Sequence, residues 1–315
     1  MPPRLAFVFP GQGSQYVGMG RALYERFPEA RAIFEEADRR LGYALSRLCF
    51  EGPEEQLNDT FYTQPALLTV SIAAYEAWRT RGGLPPDWVA GHSLGEFSAL
   101  VAAGALAFPD ALRLVQERGQ WMKWAGEQQP GAMAAVLGLE RAALEEICEE
   151  AHRETGEAVV VANDNCPGQL VISGGQRAIA RAGELARARG ARRVIPLAVS
   201  IAAHSPLMAP AVEPFRSVLE TIPFFPPRVP VIGNVEARPL DGHPDALRAE
   251  LARQLIAPVR WTESVRYMVE QGAEIFIEFG PRDVLSGLIR RIAPHVRTLR
   301  VEDPETLTQA LQALD

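Results

Sequence analysis

Chemistry is easiest to read in this 315-residue chain at Gly91-His92-Ser93-Leu94-Gly95. A serine flanked by glycines fits a sharp strand-to-helix turn that lifts the hydroxyl clear of the backbone. The apolar run Trp88–Ala90 before it and the apolar segment to about Leu106 after it supply the strand and the helix. Ser93 is therefore the candidate nucleophile. The Leu94 amide, at the start of that helix, is a candidate donor to an oxyanion.

A serine hydroxyl needs a base. Of the five histidines, His152 falls on a polar helix, His243 and His295 fall in turn-like segments, and the elbow sends the His92 side chain elsewhere. His204 follows the apolar run Leu197–Ala203 and precedes Ser205-Pro206, an N-cap and first-turn proline. The positive end of a helix there favours a neutral ring, which suits a base. Capping that helix is the plainer alternative. No aspartate or glutamate stands out as a third member.

Two further features bear on substrate. Pro10-Gly11-Gln12-Gly13-Ser14-Gln15 follows an apolar strand, but position 16 is tyrosine and no Gly-Lys-Ser/Thr follows. It is neither a dinucleotide fingerprint nor a phosphate loop. The Gln12 amide is then either a second oxyanion donor or part of an ordinary turn. Arg118 lies on the apolar stripe Ala111, Leu114, Val115, Met122, Ala125 of a helix capped by Asp110. An inward arginine needs an acid: either a protein carboxylate or one carried by the substrate.

The elements around these residues alternate between strand and helix, which implies a parallel sheet flanked by helices. Strands are expected at Arg4–Phe9, Trp88–Ala90, Val229–Gly233 and Ala273–Phe279. Helical periodicity covers Met19–Leu41, Ala66–Trp78 and Asp110–Ala125. Between them, strands Ala132–Leu137, Ala158–Ala162, Leu170–Ser173 and Arg193–Pro196 alternate with helices Arg141–His152 and Gln176–Arg189. That pattern predicts an inserted ferredoxin-like α+β subdomain. The expected division is a discontinuous α/β, hydrolase-like core over 1–128 and 199–315, with the small subdomain over 129–198.

Apolar residues make up 47% and charged residues 23%, enough for a substantial core. The net charge of −7 argues against a general nucleic-acid binder. No apolar run is long enough to span a membrane. Leu5–Phe9 is too short for a signal-peptide core, and the three scattered cysteines suit a reducing compartment. A cytoplasmic location and a monomer are expected.

FVFPGQGSQ, GHSLGE (91–96), QERGQWM (116–122), AAHSPLM (202–208), QLIAPVRW (254–261) and IFIEFGPRDVLSGL (275–288) occur in that order. Together they resemble the malonyl-CoA:acyl carrier protein transacylase family over essentially the whole chain. The resemblance implies that Ser93 is acylated, His204 is the base, Arg118 holds the malonyl carboxylate and the Gln12 and Leu94 amides face the oxyanion. It further implies that the Gln254 main-chain carbonyl orients His204, and that Asn163 and Asn165 lie near the pantetheine arm. Malonyl-CoA and holo-acyl carrier protein are the implied partners, with no metal or redox cofactor. Ala203, before the histidine, stands where malonyl-selective relatives often have Phe, which leaves the acyl range open. Six arginines against one acid between Arg177 and Arg193 suggest a docking patch for an acidic carrier, with Arg192 and Arg193 nearest the cleft. A polyketide-type acyltransferase is the alternative within this chemistry. An esterase or thioesterase fits less well, because that class orders its triad Ser, acid, His with the histidine near the C-terminus.

Overall fold

The computed structural model describes residues 3–199 and 201–314. Its strands are β1 (Leu5–Phe9), β2 (Trp88–Gly91), β3 (Gly131–Leu137), β4 (Val159–Cys166), β5 (Gln169–Gly175), β6 (Arg193–Pro196), β7 (Val231–Ile232), β8 (Ile275–Phe279) and β9 (Arg297–Val301). They form two sheets. The larger runs β7-β2-β1-β8-β9 with every pairing parallel. A strand covered on both faces must be apolar on both, and all five residues of β1 are buried. Phe7 and Phe9 pack with Phe279, Tyr75 and Trp78, the last two from the Thr60–Thr80 helix. Ala6 and Val8 face the opposite layer, where Val265, Leu285 and Ile289 close the core.

The smaller sheet is antiparallel, in the order β4-β5-β3-β6. With helices Arg141–Thr155 and Gln176–Ala188 it makes the βαββαβ arrangement of a ferredoxin-like layer. It has its own core around Val136, Leu144, Ile147 and Ile172. In sequence it lies between β2 and β7. A backbone seam joins it to the larger unit: Val259 N–H donates to the Ala162 carbonyl and Asp164 N–H to the Val259 carbonyl, both at 2.9 Å.

Several elements depart from the sequence expectation. Met19–Leu41 is two helices, Arg21–Arg26 and Pro28–Leu41. Phe27 is extended between them, because Pro28 cannot donate into a preceding turn. The helix carrying Arg118 begins at Phe108 with Ala107 as its N-cap. Pro109 fills the first turn, and Asp110 lies inside that turn as a charge complementing the dipole. β7 is only two residues long, since Pro230 has no N–H to offer a ladder. The Leu197–Ala203 run contains residue 200, which lies outside the described residues, and its described parts form no strand. Among the described residues, no helix is long and apolar enough to cross a membrane.

Candidate active site

β1 and β2 pair so that Phe9 and Gly91 lie side by side, which delivers the Gly11–Gly13 loop and the serine turn to one rim. Ser93 has φ +51°, a left-handed conformation unusual for a residue with a Cβ. A Cβ on Gly91 would strike the Gly95 backbone, and one on Gly95 would strike the Phe9 carbonyl. Both glycines are therefore required by close approach. Asn234, just beyond β7, braces the turn from the far side. Its Oδ1 accepts from Ser93 N–H and its Nδ2 donates to the Gly91 carbonyl, each at 2.7 Å.

Ser93 Oγ lies 2.8 Å from His204 Nε2. His204 Nδ1 faces two acceptors, the carbonyls of Gln254 at 2.9 Å and Ala257 at 3.1 Å, so it carries the hydrogen. Nε2 is left bare to receive the serine proton. Burial first, and then the charge of Arg118, pull the His204 pKa down to about 3. The ring is neutral at any ordinary pH. Main-chain carbonyls thus occupy the place where an acid was sought.

Arg118 is 1% exposed. Its Nη1 donates to Gln64 Oε1 at 2.8 Å, and its Nη2 to Gln254 Oε1 at 2.9 Å and to Ser93 Oγ at 3.1 Å. Among the described residues its Nε meets no acceptor. Burial lowers its pKa to about 10, partly offset by the Glu96 carboxyl, so the guanidinium stays charged at neutral pH. Two amides and a hydroxyl hold it, and among the described residues no carboxylate touches it. A buried cation with no anionic contact suits an anion that arrives with a ligand.

A pocket of about 140 Å³ is lined by Gln12, Ser93, His204, Met122, Met133 and Ala203. Asn163 also faces it. The Gln12 and Leu94 amides donate to no protein acceptor among the described residues. The Gln12 side chain is tied down, with Nε2 donating to Thr60 Oγ1 at 3.0 Å. A larger groove of about 660 Å³ is lined by His204, Pro206, Ile256, Pro258 and Arg141, without Ser93.

Asn165 is engaged differently from Asn163: its Oδ1 accepts from His92 Nε2 at 2.8 Å. Through that bond His92 links the serine turn to β4 of the small subdomain, while its ring rests against Trp261 of the larger unit, 5.8 Å between centroids. The arginine patch also changes character. Arg177 pairs with Glu157, Arg181 with Glu154 and Glu184, and Arg189 with Glu146 and Glu150. Those acids neutralise most of the expected positive run. Arg192 and Arg193 form no ion pair among the described residues. With Arg291 they line a recess of about 460 Å³ beside Gly168 and Gln169. Arg291, unanticipated from sequence, is held by Gln169 Oε1 at 2.6 Å and the Pro167 carbonyl at 3.0 Å. Asn234, Gln64 and Glu96 were likewise missed. Each is far from its partners in sequence; the Glu96 carboxyl, for example, meets the Gln254 amide 158 residues away.

A serine raised on a strained turn at the edge of a parallel sheet, with a neutral histidine on its oxygen, is the apparatus of acyl transfer. Residues 6–303 match the acyl transferase domain family, and the chain belongs to it. Within that family it is similar to the malonyl CoA-acyl carrier protein transacylase of Bacillus subtilis (strain 168), 48% identical over 99% of this chain and 97% of the relative. The protein of the same name from Escherichia coli (strain K12) is 46% identical over 98% and 99%. The solved malonyl CoA-acyl carrier protein transacylase of Coxiella burnetii superposes with a TM-score of 0.97 at 42% identity, covering 100% of this chain and 98% of that one. A malonyl-transacylase solved in complex with a type II polyketide acyl-carrier protein gives 0.95 at 44% identity, covering 98% and 99%.

Proposed function

We propose that this acyltransferase moves a malonyl group from malonyl-CoA to the phosphopantetheine thiol of an acyl carrier protein, through an ester on Ser93, to supply fatty acid synthesis. One contact carries the substrate assignment: the charged Arg118 guanidinium lies 3.1 Å from the Ser93 oxygen. An acyl group joined to that oxygen and bearing its own carboxylate would reach the guanidinium, whereas an acetyl group would have nothing to offer it.

His204 Nε2 takes the Ser93 proton as Oγ attacks the thioester carbonyl. The Gln12 and Leu94 amides receive the oxyanion, and His204 returns the proton to the departing coenzyme A sulfur. The carrier thiol then gives its proton to His204 and attacks the ester carbonyl, and His204 passes that proton to the departing Ser93 oxygen, which restores the free hydroxyl. Throughout, the Gln254 and Ala257 carbonyls hold the Nδ1 hydrogen and stabilise the transient imidazolium. Asn163 contacts the pantetheine arm. Asn165 contributes by fixing His92 beside it. Arg192, Arg193 and Arg291 receive the phosphates of the donor or the acidic face of the carrier. Transfer to a polyketide carrier is the second reading, favoured by the likeness to the transacylase solved with such a partner.

Intact-protein mass spectrometry after mixing with malonyl-CoA tests the proposal. A malonyl adduct that holo-carrier protein discharges, and that Ser93→Ala abolishes, is the expected outcome. Folded protein that gains no adduct refutes it.

A further inference from the structure

We propose that Glu96 is a positioning residue that aims Arg118 through the side-chain amide of Gln254. The inference rests on the acyl-transfer reading above and names a determinant of its substrate selectivity. Glu96 lies in the first turn of the Gly95–Ala102 helix, three residues beyond Ser93, and is fully buried. Its Oε2 accepts from Gln254 Nε2 at 2.6 Å, while its Oε1 meets no donor among the described residues. A carboxyl buried with one oxygen unsatisfied is costly, so packing alone is a poor account of it.

The geometry around Gln254 supplies a better one. Its Nε2 donates both to Glu96 and to the Ser93 carbonyl, the latter at 3.1 Å. That leaves its Oε1 facing Arg118 Nη2 at 2.9 Å. Flipping the amide would set its oxygen against two acceptors and its NH2 against a guanidinium, so Glu96 helps to lock one orientation. Arg118 is then fixed at two points, by Gln64 on Nη1 and by Gln254 on Nη2. The bond from His204 Nδ1 goes instead to the Gln254 main-chain carbonyl, at the end of its helix, and is shared with Ala257. Loss of Glu96 therefore reaches the guanidinium and spares the base.

Selectivity is the readout, because acetyl transfer uses Ser93 and His204 but needs no carboxylate clamp. We compare kcat/KM for malonyl-CoA and acetyl-CoA in the wild type, Glu96→Ala, Glu96→Gln, Gln254→Ala and the Glu96→Ala/Gln254→Ala double variant, with thermal melting alongside. Glu96→Ala lowers the malonyl-to-acetyl ratio roughly tenfold, the scale of one hydrogen bond. Glu96→Gln recovers most of that ratio, since an amide oxygen accepts the same bond. In the Gln254→Ala background, Glu96→Ala changes the ratio no further. Should the alanine variant fail to fold, Glu96→Asp, whose shorter side chain withdraws the acceptor, shows the same selective loss. Equal losses for both donors, additive losses in the double variant, or a Glu96→Gln variant as poor as Glu96→Ala each overturn the proposal. A wild type that transfers neither acyl group overturns the acyl-transfer reading instead.

Discussion

Arg118→Ala separates a substrate clamp from a structural arginine. The side chain is buried, its Nη2 lies 3.1 Å from the Ser93 oxygen, and its Nε is unmet among the described residues. A charge-assisted hydrogen bond is worth roughly 1.5–3 kcal/mol net, and a carboxylate meeting two donors reaches about 3 kcal/mol. At about 1.4 kcal/mol per factor of ten, malonyl transfer should fall on the order of 100-fold. Acetyl transfer should fall far less, or rise. The substitution also orphans the Gln64 and Gln254 oxygens, each at a cost of about 1–3 kcal/mol to stability. The assay therefore runs well below the melting temperature of the variant. Transfer to holo-carrier protein is followed with both donors, and the ratio of their kcat/KM values is the quantity read. Equal losses for malonyl and acetyl would refute the clamp and leave Arg118 as scaffolding.

Three other outcomes follow from the same geometry. Because burial and Arg118 hold the His204 pKa near 3, against an ordinary value of 6.5, the rate of Ser93 acylation should stay flat from about pH 5 to 8. Rapid-quench mass spectrometry checks this, and a break near 6.5 would refute it. The linked stability has a definite sign: His204 contributes fully above pH 6.5, and its contribution is lost as pH falls toward 3. Asn234→Ala removes both braces of the serine turn, worth about 1 kcal/mol each, so acylation by malonyl-CoA and acetyl-CoA should slow together by roughly 10- to 100-fold. Unchanged acylation rates in the variant would show that the turn holds itself.

The parts legible in the sequence are those whose reasons are local. The glycines around Ser93 announce a close approach, the apolar β1 announces a strand covered on both faces, and strand spacing between 131 and 196 announces a four-stranded layer. Arg118 could be picked out because its helix has a regular stripe. Relations between distant segments were not readable. Asn234 meets the serine turn 141 residues away in sequence, and no spacing rule connects them. Arg181 of the Gln176–Ala188 helix and Arg189 at its C-terminal cap looked unopposed until Glu154 and Glu150 on the other helix of that layer came beside them. Arg291 reaches Arg192 and Arg193 only through the packing of one unit on the other. Prolines misled at two boundaries, since Pro109 and Pro28 each moved a helix start that side-chain pattern alone placed elsewhere.

The position of β1 between β2 and β8 has a consequence for how the chain is made. The first strand gains one neighbour at residues 88–91 but waits for residues 275–279 to gain the other. At ribosomal speeds of about 5–20 residues per second, those 270 residues between Phe9 and Phe279 take roughly 15 to 50 seconds. The layer from 131 to 196 is contiguous and can finish folding well inside that interval. The emerging protein therefore carries a folded middle and an apolar N-terminal strand with one edge open, the condition in which chains associate wrongly and chaperones are recruited. The sheet that carries the serine closes last.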